Sequence, residues 1–372
     1  MKRIEIKENN LNMVYEITDE NEIKLLHFSN LPFDENDINS CEGTASFRPV
    51  EVLLSGLNRP GERHGTKYTY TAPGYRLKYK DMKDYRNETG RKLEILMEDK
   101  PTGLEVCSNI QFYDGISVIR SWTELKNNGE EDLGVEYVSS FALLGIDKEG
   151  LLSTDEKLEV LIARNAWQKE LIWNRFSMDQ LGMSISQPDK VRRSSQTISV
   201  GNTGNWSTKN YLPMGCLKNK ETDSILFWQI EQNGSWYWEI SDQDGHMYLQ
   251  LSGPTEHQSH WWKNLKPGDT FASVPVSVGS ACGDVEEAAG ELTKYRRAIR
   301  RKNEDNEKLP VIFNDYMNCL WGDPTTEKEL PLIDKAKEAG CEYFCVDCGI
   351  QQDSGGMVLE NGCHPKKDFR AA

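Results

Sequence analysis

Asp315, Asp347 and Trp321 are the residues of this chain whose types and positions best suit chemistry. Asp315 follows the short apolar run 309–313, and Asp347 follows a second run at 341–346. An ionised carboxylate accepts charge-assisted hydrogen bonds and an indole offers an apolar ring face, so the three are candidate substrate-binding residues.

The elements that must position them read strand, helix, strand. Leu309 to Phe313 is a strand ending in the polar Asn314-Asp315. Thr326 with Glu329 three residues on has capping-box spacing, and Gly340 suits the residue just past a helix end. Cys341 to Val346 forms the second strand, which ends in Asp347-Cys348-Gly349. A unit of this length predicts a right-handed parallel crossover. Polar residues just past both strand ends occupy the face on which a β/α-barrel gathers its chemistry. Twenty-two residues follow Ile350, so the expectation is a (β/α)8 barrel that is begun and left incomplete. Pro331 fits this helix poorly, because proline beyond the first turn removes a hydrogen bond.

Each candidate also has a plainer reading. Asp347 could cap the next turn, and Asp315 and Trp321 could serve loop capping and packing. Cys341, Cys345 and Cys348 cluster, yet two lie within a strand, where small buried thiols are commoner than zinc ligands. His257 and His260 have metal-like spacing, but flanking Trp261 and Trp262 argue for a loop or strand edge. No metal and no cofactor is expected.

The composition excludes several classes. Forty-four Lys and Arg against 59 Asp and Glu give a formal charge of −15, the wrong sign for nucleic acid or an anionic membrane. No apolar run approaches the ~20 residues of a membrane span, and the first residues alternate rather than forming a signal peptide's apolar core. The nine cysteines are scattered, unlike a secreted disulfide framework. A cytoplasmic location is expected.

Before the barrel start the chain is almost wholly β. Short runs rich in Val, Ile, Tyr, Thr and Trp are separated by turn signals such as Asn127-Asn-Gly and Lys266-Pro-Gly. Between 236 and 240, Trp236, Trp238 and Ile240 alternate with Tyr237 and Glu239, which predicts one aromatic-apolar face. Many strands without helical periodicity predict a large antiparallel sandwich over 1–282. Segment 283–308 then reads as a helical linker, with Val285, Ala288, Ala289, Leu292, Tyr295 and Ile299 at helical spacing, and 309–372 as the first βαβ unit of the barrel.

Taken together these segments closely resemble bacterial α-galactosidases of glycoside hydrolase family 36. HGTKYTYTAPGYRLKY (64–79), RNETGRKLEILMED (86–99) and TGLEVCSNIQFYDGISVIRSWTELKNNGEEDLGVEYVSSFALLG (102–145) look like that family's N-terminal β-supersandwich. ARNAWQKELIW (163–173) is similar to its Trp segment, and FNDYMNCLWGDPTTEKEL (313–330) to the first strand and loop of its barrel. The resemblance implies release of terminal α-linked galactose, as in raffinose or melibiose, with retention at the anomeric carbon. It implies an α-galactoside oligosaccharide as partner and is compatible with a homo-oligomer.

The same resemblance puts the nucleophile and the acid/base, both aspartates, on later barrel strands, so neither maps to a position here. Asp347 matches the first aspartate of the family's Asp-Asp-Gly-Trp, which receives galactose hydroxyls. Cys348 and Ile350 depart from that pattern, and Ile350 replaces the sugar-packing Trp. The reading is therefore the front part of an α-galactosidase, inactive alone. Two alternatives stand beside it: a non-catalytic carbohydrate-binding or oligomerisation sandwich, and the same enzyme class acting on α-N-acetylgalactosamine. Trp167 and Trp206 are further aromatic candidates within the sandwich, where such residues are usually core.

Overall fold

The computed structural model describes residues 1–35, 47–57, 67–183, 196–321 and 323–347. Cys348, Ile350 and everything after them lie outside the described residues. The chain forms two compact units, Met1–Ile299 and Arg300–Ala372.

The first unit is a mainly β, antiparallel sandwich. Among the described residues its largest sheet has ten strands. In spatial order these run Ile172–Ser177, Leu158–Arg164, Tyr211–Asn219, Ser224–Ile230, Val276–Cys282, Ile116–Asn127, Leu104–Tyr113, Arg91–Asp99 and Lys78–Arg86, with Thr270–Ala272 also pairing with Ile116–Asn127. A six-stranded sheet runs Ile198–Asn202, Trp236–Gln243, His246–Ser252, Leu133–Leu144 and Lys263–Leu265, with Val52–Leu54 also pairing with Leu133–Leu144. The first three strands, Lys2–Glu8, Leu11–Ile17 and Ile23–Ser29, make a smaller meander.

Period-two alternation explains which face each strand buries. In Arg91–Asp99 the side chains of Leu93, Ile95 and Met97 point inward and join one continuous core with Val135, Phe141, Trp238, Leu249 and Leu251 of the facing sheet. Asp99 ends the same inward row, and Arg76 neutralises it through a two-bonded fork of 2.9 and 2.7 Å. The neighbouring edge strand, KYKDMKDYR, is largely exposed, and its lysines and aspartates discourage pairing with another chain. The turn into Arg91–Asp99 needs its glycine. Gly90 sits at φ 150°, and a Cβ there would lie 2.4 Å from the Phe112 carbonyl oxygen.

Trp236–Gln243 differs from the sequence expectation of one apolar face, because all eight residues are buried. Trp236, Trp238 and Ile240 face the main core. Tyr237 faces a second cluster with Leu53, Tyr68 and Tyr137. The segment beginning at Lys67 covers this side. Tyr68 stacks on Tyr137 at 3.9 Å and gives its amide to Glu239, while the Tyr237 and Tyr248 hydroxyls each donate to Glu239 at 2.8 Å. Burial raises the Glu239 carboxyl.

Helix Val285–Ile299, read from the sequence as a linker, packs on the sandwich. Its Ala288, Leu292 and Tyr295 are buried with Val118, Leu161 and Phe227, and the Tyr295 hydroxyl bonds Glu231, which Arg120 also holds. Acidic residues lead this helix and arginines end it, as its dipole favours.

The second unit contains the anticipated strand–helix–strand. Ile312–Asn314 and Tyr343–Cys345 pair in parallel, with Phe313 opposite Phe344, and helix Thr326–Glu338 connects them. Pro331 lies inside that helix. Proline has no N–H for the Glu327 carbonyl four residues back, and Glu327 is exposed, where water can serve that oxygen. Among the described residues no helix is long and apolar enough to cross a membrane.

Candidate functional site

The ends of the two parallel strands bring Asp315 and Asp347 together. Asn314 is the last residue of the first strand. Its side-chain nitrogen donates to the Asp347 carboxylate at 2.8 Å, and its side-chain oxygen Oδ1 accepts the Tyr316 main-chain amide at 2.8 Å. Asp315 gives its main-chain amide to the Cys345 carbonyl at 3.2 Å, which extends the pairing by one step. Its carboxylate turns back to accept the Asp347 amide at 2.9 Å. Asp347 itself is exposed, so its carboxylate is oriented by Asn314 and open to a ligand.

Asp315 is only 1 % exposed, and this alters its role. A carboxylate so enclosed cannot reach a sugar hydroxyl. It anchors the strand end instead. Trp321 stands 65 % exposed in the left-handed region at φ 50°, with its ring 5.7 Å from that of Tyr316. No hydrogen bond among the described residues joins it to either aspartate. Of the three sequence candidates the structure thus unites two, one outward and one inward, and leaves the indole free on its loop.

Glu329 was misread from the sequence. The helix cap is Thr325, whose side chain makes no capping bond, so Glu329 is not the far arm of a capping box on Thr326. Only 3 % exposed, it turns inward, and neither of its oxygens meets a hydrogen-bond donor. It faces Asp315, and burial together with that neighbouring carboxylate pushes the Glu329 carboxyl up to about 7. The only sequence signal for this was a glutamate one helix turn past the loop that follows Asp315.

The remaining candidates separate clearly. Among the described residues no group of three His, Cys, Asp or Glu side chains could hold a metal ion. Cys341 and Cys345 are partly buried free thiols. His257 belongs to the short helix Glu256–Ser259, and His260 ends it in a left-handed turn. Trp167 and Trp206 are not core: they are 72 % and 51 % exposed. Their loops are tied together by bonds from the Asn165 side chain to the Thr208 carbonyl, 2.6 Å, and from the Asn165 amide to the Asn210 carbonyl, 3.0 Å.

Comparison with solved structures supplies the context for these strand ends. The α-galactosidase AgaA of Geobacillus stearothermophilus, a variant in complex with raffinose, superposes with a TM-score of 0.72 at 15% identity, over 95% of this chain and 51% of that one. The fold is that of the amino-terminal half of glycoside hydrolase family 36. AgaB from the same organism superposes at 0.69, with 15% identity over 92% of this chain and 48% of its own. Among curated proteins, α-galactosidase Mel36A of Lactobacillus acidophilus is 22% identical over 271 residues, covering 71% of this chain and 33% of that protein. No family model matches the chain. The chain therefore spans about half the length of these solved family 36 enzymes and a third of the curated relative.

Proposed function

We propose that this chain is the amino-terminal portion of an α-galactosidase-type glycoside hydrolase of family 36. The whole enzyme would release terminal α-linked galactose, with retention, from oligosaccharides such as raffinose or melibiose in the cytoplasm. The observation that carries this reading is Asp347: an exposed carboxylate, oriented by Asn314, at the C-terminal end of a parallel strand in a family 36 fold. There it would accept galactose hydroxyls and fix the sugar's orientation. Trp321 would offer its ring to the same ligand, and Asp315 would hold the strand end beneath it.

These residues do not amount to a catalytic pair. A retaining glycosidase needs two carboxyls about 5–5.5 Å apart, one to attack the anomeric carbon and one to protonate the leaving oxygen. Among the described residues Asp315 is the other carboxylate at these strand ends, but it is enclosed and committed to the Asp347 amide. Residues 1–372 are therefore expected to bind sugar without cleaving it. The test is turnover of an aryl α-galactoside by the purified chain, with Asp347→Ala as control. Turnover above the blank that disappears in Asp347→Ala would refute the proposal of inactivity.

The non-catalytic module remains a distinct second reading, favoured by the two exposed indoles Trp167 and Trp206 on joined loops. Galactose calorimetry separates the two. Millimolar or tighter binding lost in Asp347→Ala supports the strand-end site, whereas binding lost only in Trp167→Ala or Trp206→Ala supports the sandwich.

A further inference from the structure

We propose that a polar cleft between helix Val285–Ile299 and the strands it packs on is a binding site for a neutral saccharide. The site goes beyond the strand-end reading: its residues all belong to the first unit, and its geometry does not depend on Asp347.

The cleft opens where two central strands of the ten-stranded sheet part. Val276–Cys282 pairs with Ser224–Ile230 along its whole length. With Ile116–Asn127 it pairs only from Val276 to Gly279. One step further, Ser117 leaves the ladder. Its amide goes to the Glu291 carboxylate at 2.8 Å, and its hydroxyl to the Asn9 carbonyl at 2.8 Å. The gap beside Ser280 and Ala281 continues along the helix as a cleft of about 450 Å³, within the size range of small-molecule sites.

Gly290 forms the helical wall. Glycine is among the poorest helix formers, and inside a helix it usually answers the close approach of another element. Here a Cβ would meet none of the described residues within 4 Å, and the backbone lies outside the left-handed region. Neither packing nor conformation calls for glycine, and the space left by its missing side chain belongs to the cleft.

The polar groups on the other walls are fixed and incompletely used. The Asn30 side-chain oxygen accepts the Ser280 hydroxyl at 2.7 Å and also the Ser224 hydroxyl. That leaves its NH2 group as a donor with no acceptor among the described residues. Glu287 accepts the Asp284 amide at 2.8 Å with one oxygen and has the other to spare. Glu291 accepts Lys294 at 2.6 Å with the oxygen that Ser117 does not use, and the Lys294 ammonium retains further N–H donors.

This mixture selects the ligand. A hydroxyl both donates and accepts, so a polyol satisfies the amide donor, the ammonium and the carboxylates together. An anion would meet Glu287 and Glu291, and a cation would meet Lys294 and the Asn30 NH2 group. Flanking charges do not tip the balance, because Asp284 is paired with Arg175 at 2.7 Å and Asp223 with Lys218. Ala281 and Gly290 offer little apolar surface, so a hydrophobic ligand finds no support.

The test is calorimetry with raffinose on the full chain carrying Asp347→Ala, which removes the strand-end site. Raffinose should bind with millimolar affinity and one-to-one stoichiometry. Adding Gly290→Leu fills the cleft with a better helix former, so binding should weaken about tenfold or more while the urea midpoint does not fall. Gly290→Ala should keep the binding, because one methyl group leaves most of the cleft open. Asn30→Asp keeps the acceptor for Ser224 and Ser280 but removes the donor, and should weaken binding about tenfold. Galactose 6-phosphate and galactosamine should bind more weakly than galactose. Absence of raffinose binding in the Asp347→Ala chain, binding unchanged by Gly290→Leu, or tighter binding of either charged sugar would overturn the inference. If Asp347→Ala binds raffinose as wild type does and Gly290→Leu abolishes it, the cleft stands and the strand-end assignment falls.

Discussion

Glu51 makes the stability of the sandwich depend on pH, in the opposite sense to His27. Glu51 is buried beneath the segment that covers the six-stranded sheet. Its oxygens accept the Tyr70 amide at 3.2 Å, the Thr71 amide at 3.0 Å and the Thr71 hydroxyl. Burial nevertheless outweighs these donors and raises the carboxyl from 4.5 to about 7. A raised carboxyl contributes stability that is fully present below its unfolded value and is lost as pH climbs through the folded one. Between pH 5 and pH 8 that loss is roughly 2–3 kcal/mol, at about 1.4 kcal/mol per pH unit.

Buried His27 lies 2.9 Å from the Leu31 carbonyl, and burial beside Lys148 lowers it to about 4. The unfolded chain takes up its proton more readily, so this contribution is lost as pH falls, by roughly 2 kcal/mol from pH 8 to pH 5. Wild type therefore hides both slopes, and Glu51→Gln uncovers one. At pH 5 the variant should be less stable by about 1–3 kcal/mol, because the new amide must face a main-chain N–H. At pH 8 that deficit should close, since the cost of ionising Glu51 is gone. The assay is urea unfolding followed by the fluorescence of buried Trp228, Trp236 and Trp238. An equal deficit at both pH values would refute the reasoning.

Leu292→Ala, on the helix that packs against Val118 and Phe227, should destabilise the sandwich by about 2–5 kcal/mol, read as a lowered urea midpoint with unchanged slope. Hydrogen exchange should find the amides of Ile312–Asn314 much less protected than those of Leu104–Tyr113. Among the described residues Ile312–Asn314 pairs on one side with a single three-residue partner, whereas Leu104–Tyr113 is flanked on both sides by long strands. Equal protection would mean that the second unit is far more stable than its exposed Val311, Ile312 and Tyr343 imply.

Much of the fold was legible because strands announce themselves locally. The alternation of Leu93, Ile95 and Met97 needs only its own segment to choose a face, and the order strand, helix, strand at 309–347 follows from turn and cap residues nearby. What escaped was set by distant partners. Tyr237 and Glu239 looked like a solvent face because the segment that covers them begins at Lys67, far away in the chain. Trp167 and Trp206 looked like core because nothing local says that two loops will lift them outward together. Glu329 shows the difference most sharply. Its spacing from Thr326 fits a local cap, worth at most about 2 kcal/mol at a solvent-exposed helix end. The fold instead buries it, and burial with Asp315 nearby raises its carboxyl, which no local pattern encodes. Polar side chains with two competing uses are decided by whichever partner the fold brings within reach. The candidate site was accordingly readable in its outward residue, Asp347, and unreadable in the two carboxyls that the fold turns inward, Asp315 and Glu329.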